Sequence, residues 1–226
     1  MGGLPIAYVF LLGLSSGVTL LSLTAYRRIS PPWLKWSLLV TGCFTFSRYV
    51  TMALFAGSPD PQRVWFLRPC YFATSIGLPL PSAFAVDQLL RHPAMTPKKL
   101  LRWCSPFLIA SLAGMFLSSA TPIPDRIMGW MPHLNPGWQW WFVFIHGSFV
   151  IVFIGMILTI WPKVPSPRVR LALLGLTLGH SALALDGLLR LLGVWYFRPF
   201  LYSEMLTLIA IWHAYETSVE LQQNIG

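Results

Sequence analysis

Six ionisable side chains stand inside otherwise apolar stretches of this 226-residue chain: Arg48, Arg68, His146, Asp186, Arg190 and Glu204. A charge at the bilayer centre costs roughly 2.5–3.5 kcal/mol even on the lenient insertion scale, so such residues pair with one another or line a polar cavity. Asp186 and Arg190 are four apart, acid first, which puts them on one helix face where they can pair. Arg48 and Glu204 can close a second pair between helices. Grouped in this way the residues satisfy each other's charge and leave room for a ligand. An internal ion-pair network that only holds helices together would use the same residues.

Three histidines raise the question of haem, because paired imidazoles can hold it inside a helix bundle. Bis-histidine ligation needs two rings at one level on facing helices. The expected span limits place His146 in the outer part of its span, His180 near the middle and His213 toward the inside. That spread speaks against haem. A retinal Schiff base needs a lysine in mid-span, whereas Lys35, Lys98, Lys99 and Lys163 all fall at span ends. His180 and Asp186 are six apart and lie on different helix faces, which does not suit a zinc hydrolase. No glycine-rich phosphate loop or nucleophile–base pair is readable, so the chain is expected not to be an enzyme. Cys43, Cys70 and Cys104 are far apart, in or near apolar runs, and read as small buried hydrophobes.

The elements that must position these groups follow from hydropathy. Mean hydropathy is +0.63, 55% of residues are hydrophobic and only 10% are charged, against roughly 25% in soluble domains. Apolar runs at 4–26, 33–56, 64–90, 99–119, 138–162, 169–193 and 198–218 each reach the length of about 20 residues that a membrane-crossing helix needs. The expected fold is therefore all-α, a single bundle of seven transmembrane helices. The first run lacks a basic n-region and a small-residue cleavage site, so it is expected to remain as a span. Pro79 and Pro81 remove helical donors within the third run and should kink it.

Charge placement gives the expected orientation. Arg27, Arg28, Lys35, Arg91, Lys98, Lys99, Arg102, Lys163, Arg168 and Arg170 all fall on one set of connections. The other set holds Arg63, Arg68, Arg126 and Arg198, with Asp60 and Asp125 among them. The positive-inside rule then places the N-terminus outside and the C-terminus in the cytoplasm, with the six site residues in the outer half. The net charge of +9 is thereby assigned to lipid headgroups rather than to nucleic acid. Trp33, Trp36, Trp65, Trp103, Trp138, Trp140, Trp141, Trp161 and Trp195 fall near span ends, as interfacial anchors do. The longest connection, 120–137, is rich in Pro, Gly, Trp and Met and is expected either to fold back as a cap or to be an ordinary loop. Gly13 with Gly17, and Gly175 with Gly179, permit close helix contact.

Several short motifs recur in a fixed order. Val64-Trp65-Phe66-Leu67-Arg68 opens the third span, which contains Leu78-Pro79-Leu80-Pro81 and runs into Asp87 and Arg91. Met128-Gly129-Trp130 and Asn135-Pro136-Gly137-Trp138 precede the fifth span, and Arg168-Val169-Arg170 opens the sixth. Over residues 5–218 the chain resembles the seven-helix N-terminal membrane domain of bacterial histidine kinases and diguanylate cyclases. The resemblance implies a sensor of the bacterial inner membrane, whose seventh helix feeds a cytoplasmic effector. No kinase or cyclase domain follows the seventh span, so output is expected to pass to a protein partner. The alternative is an accessory subunit of a respiratory or photosynthetic membrane complex, packing against its partners and holding lipid, quinone or pigment.

Overall fold

The computed structural model describes residues 4–57, 61–90, 97–125, 129–194 and 200–223. Asp60, Arg91, Arg126, Met128, Trp195 and Arg198 lie outside the described residues. In chain order the elements are α1 (Leu4–Tyr26), α2 (Pro32–Gly57), α3 (Pro61–Tyr71), α4 (Thr74–Gly77), α5 (Pro79–Leu90), α6 (Pro97–Leu117), β1 (Ala120–Asp125), β2 (Gly129–Leu134), α7 (Pro136–Ile160), α8 (Pro167–Leu191) and α9 (Leu201–Gln223). The molecule is all-α apart from one β-hairpin. Helices α1, α2, α6, α7 and α8 are long and apolar enough to cross a membrane. Their outward side chains, among them Phe10, Phe144, Ile151 and Leu178, are exposed, while Thr19, Thr45, Ser82 and Thr207 are buried. That inside-out distribution suits a multi-pass membrane protein.

The run expected as a third span is not one helix. It breaks at residues 72–73 and again at Leu78, giving α3, α4 and α5. The second break has the expected cause: Pro79 has no N–H to offer the Ser75 carbonyl, which instead accepts from Ser111 Oγ at 3.4 Å. Pro106, inside α6, is accommodated differently. The hydroxyl of Ser105 donates to the Arg102 carbonyl at 2.8 Å and replaces the donor that the proline lacks.

Helix α9 is the centre of the bundle, with twelve of its residues buried. It runs parallel to α5, since Tyr215 Oη donates to Pro81 O at 2.8 Å and, two turns on, Gln222 Nε2 reaches Gln88 Oε1 at 3.4 Å. Tyr26 of α1 meets Tyr215 edge-on at 4.8 Å. Against α9, α8 runs antiparallel and close: a Cβ on Gly179 would stand 2.8 Å from Thr207 Cα, and one on Gly175 3.5 Å from Ala210 Cβ. Gly13 and Gly17, by contrast, have nothing within 4 Å of where a Cβ would sit. Of the two glycine spacings, one is a helix seam and the other faces outward.

The long connection folds back as an antiparallel hairpin, in register from Ala120↔Leu134 to Asp125↔Gly129. Both strands are edges, so Pro122, Pro124 and Pro132 are tolerated there. The hairpin lies against the ends of α2 and α3 and buries Met131. Gly129 is required twice over: φ is +76°, and a Cβ would meet the Phe55 carbonyl at 2.8 Å. This side of the bundle is the hairpin end. The other, where Arg28, Lys35, Lys99, Lys163 and Arg168 cluster at helix termini, is the basic end.

Candidate functional site

Near the hairpin end, Arg48 of α2 and Glu204 of α9 form a two-pronged ion pair. Arg48 Nη2 lies 2.7 Å from Glu204 Oε1, and Nε lies 3.0 Å from Oε2. Both are buried, at 3% and 2% exposure. Local structure prepares each partner. Glu204 sits in the first turn of α9, where the helix dipole favours an acid. The break after α3 turns the Ser75 N–H to Phe72 O, and the Tyr71 carbonyl is taken by Arg48 Nη1. The guanidinium also lies 4.8 Å over the Tyr71 ring. Thr74 Oγ1 at 3.1 Å and Tyr49 Oη at 3.5 Å complete the donors around the carboxylate. Buried charges are tolerated only when satisfied to this degree.

Beside the pair lies a cavity of about 180 Å³, walled by α4, α5, α6, α7 and α8, with Pro132 and Leu134 of the hairpin at its rim. Its walls are mainly apolar, including Phe72, Phe107, Phe142, Phe149 and Leu183. Aromatic contacts join these walls: Phe72 stacks on Phe142 at 4.9 Å, and Phe107 meets Phe149 edge-on at 5.7 Å. Apolar walls with a few converging polar groups are the usual form of a small-molecule site.

Of the six residues singled out in the sequence, Arg48, His146, Arg190 and Glu204 line this cavity. Asp186 accepts from Ser203 Oγ at 2.8 Å, and Arg190 lies 5.3 Å over the Phe200 ring. Arg68 has a different place. Its Nη2 donates to Phe116 O at 2.7 Å and its Nη1 to Ser118 O, closing the C-terminal end of α6. It fastens one helix to another and does not face the cavity. Thr74, Ser75 and Gln139 also line the site and were not singled out. The proline pair signalled a break near the first two, but polar uncharged residues carry no mark in hydropathy. Gln139 had no signal at all.

The histidines require a correction. His146 and His180, expected at separate depths, lie side by side: their rings are 5.6 Å apart. Helix α7 begins at Pro136 and α8 ends at Leu191, each about half a turn from the expected limit, and both shifts narrow the expected difference in depth. His180 Nε2 lies 2.8 Å from Ser82 Oγ on α5. Phe149 and Phe153 meet His180 edge-on at 5.2 and 5.3 Å. Among the described residues no group of three His, Cys, Asp or Glu side chains is placed to hold a metal. Cys43, Cys70 and Cys104 are free thiols.

No family model matches the chain, and no curated protein matches it. What the site does must therefore be read from its geometry.

Proposed function

We propose that this protein is a non-enzymatic ligand-binding module of the bacterial inner membrane that senses a small lipophilic molecule and passes the change to a protein partner. The α3–α5 segment and α9 complete a sevenfold crossing with the five apolar helices, N-terminus outside and C-terminus in the cytoplasm. One observation carries the reading: the cavity adjoins the Arg48–Glu204 pair at the start of the central helix, and that helix runs on to the basic end. A ligand pressing on the pair would tilt or slide α9, whose far end carries Glu216 and Glu220. The resemblance of the short motifs, in their order, to those of kinase- and cyclase-linked sensor domains agrees with the same reading.

Native mass spectrometry of protein extracted in gentle detergent tests it, together with hydrogen exchange. The expected result is a bound small molecule that protects residues 216–223 from exchange, and both effects should vanish in a cavity-filling Ala184→Trp variant. Exchange at 216–223 that ignores ligand would refute transmission. The accessory-subunit reading has its own support in α1, where Gly13 and Gly17 leave space for another helix. Extraction as a stoichiometric complex with respiratory or photosynthetic subunits would favour it.

A further inference from the structure

The cavity's polar groups can be accounted for one by one. Arg48 and Glu204 neutralise and saturate each other, so an ionised ligand would have to separate them. Asp186 stands one turn from Arg190 on α8, outside the lining itself, so two acids and two bases lie at or beside the site. Ser111 Oγ donates to Ser75 O at 3.4 Å, and Gln139 Nε2 to Leu134 O at 2.7 Å. Two wall residues keep a buried atom without a hydrogen-bond partner: Ser75 through Oγ, on α4, and His146 through Nε2, on α7. A buried polar atom left unmet is destabilising, and a bound molecule can supply what is missing.

These observations narrow the occupant. Balanced charge selects an uncharged molecule. The stacked and edge-on phenyl rings of the walls suit a flat ring better than a bare alkyl chain. Two unmet groups on two helices, a hydroxyl and an imidazole nitrogen, ask for a ring with more than one hydrogen-bonding oxygen. A cavity among membrane-crossing helices can take its ligand from the lipid phase, where such uncharged rings concentrate. We propose that the cavity binds the headgroup of a membrane quinone or quinol, with its ring oxygens on His146 and Ser75. This deepens the ligand-sensing reading above and rests on it. No redox step is involved; the site recognises the ring.

Calorimetric titration of the detergent-solubilised full chain tests the assignment, with decylubiquinone as the probe and dodecanol and decanoate as comparisons. Decylubiquinone should bind one to one and at least tenfold more tightly than either comparison. His146→Phe, which keeps the ring but deletes its nitrogens, should weaken binding at least tenfold. Ser75→Ala, a change that an assembled helix tolerates, should weaken it about threefold or more, and Ala184→Trp should abolish it. Unchanged affinity in both His146→Phe and Ser75→Ala would overturn the proposal, as would equal binding of dodecanol or decanoate. If a comparison compound binds in place of the quinone and is lost in Ala184→Trp, the quinone assignment falls while ligand sensing stands. If no probe binds the wild-type chain, both fall.

Discussion

Helix α9 carries acids near both of its ends, and the two sets live in different surroundings. Glu204, at the hairpin end, is buried against Arg48 and held by a full set of donors. At the basic end, Glu216 pairs with Arg28 and Glu220 with Arg168, but those arginine side chains are 45% and 76% exposed. The first pair has water excluded and lone pairs occupied, so losing one partner strands a charge. The second set is solvated and screened, and an individual pair there contributes little. One helix is thus pinned at one end and loosely tethered at the other. Under the proposed function, a change at the pinned end would be read out at the loose one.

The sharpest way to break this comparison is to remove Arg48 alone. Arg48→Met should destabilise the bundle by about 3–5 kcal/mol, read from unfolding in denaturing detergent, because Glu204 is left buried without its partner. The double variant Arg48→Met with Glu204→Leu should recover most of that loss. A double variant as unstable as the single would mean that the pair shapes the bundle beyond its charge balance.

Next in size is the seam between α8 and the pinned half of α9. Gly179→Leu should cost about 1–3 kcal/mol in the same unfolding measurement, since the side chain meets Thr207 backbone. Gly13→Leu, with open space around it, should stay within about 0.5 kcal/mol. Equal losses at the two glycines would show that α1 packs as tightly as α8.

The smallest effect is expected at the loose end. Arg168→Ala and Arg28→Ala should each change stability by less than about 1 kcal/mol, with the difference shrinking as salt is raised. The Arg48→Met loss should be nearly independent of salt. A salt-insensitive loss at Arg168 would erase the contrast between the two ends.

Much of this arrangement is legible in the chain before folding. The apolar runs that became α1, α2, α6, α7 and α8 stand out because their partner is lipid, and lipid reads only hydropathy. The Arg48–Glu204 pair was foreseeable because a buried charge requires an opposite one. The runs at 64–90 and 198–218, which hold α3–α5 and α9, are legible as spans too, but they are more polar. Their partner is mostly protein, so polar residues such as Ser82, Thr207 and Glu204 are accommodated and the hydropathy signal weakens. The hairpin is legible only as a connection that folds back or runs as a loop, because three prolines within 122–132 hide its strands.

By itself the sequence determined an all-α, membrane-type chain, the balance of its buried charges and the helix break at the proline pair. These depend on local chemistry: transfer of side chains into hydrocarbon, the need of a charge for its counter-charge, and the N–H that proline lacks. Only the tertiary structure decided that His146 and His180 meet, that Arg68 fastens α6 and does not line the cavity, and that Ser75 and His146 each bring an unmet atom to the same cavity. Those facts depend on the relative level and rotation of helices. A shift of half a turn moves a side chain about 3 Å along the axis and to another face, and no residue's identity encodes that shift.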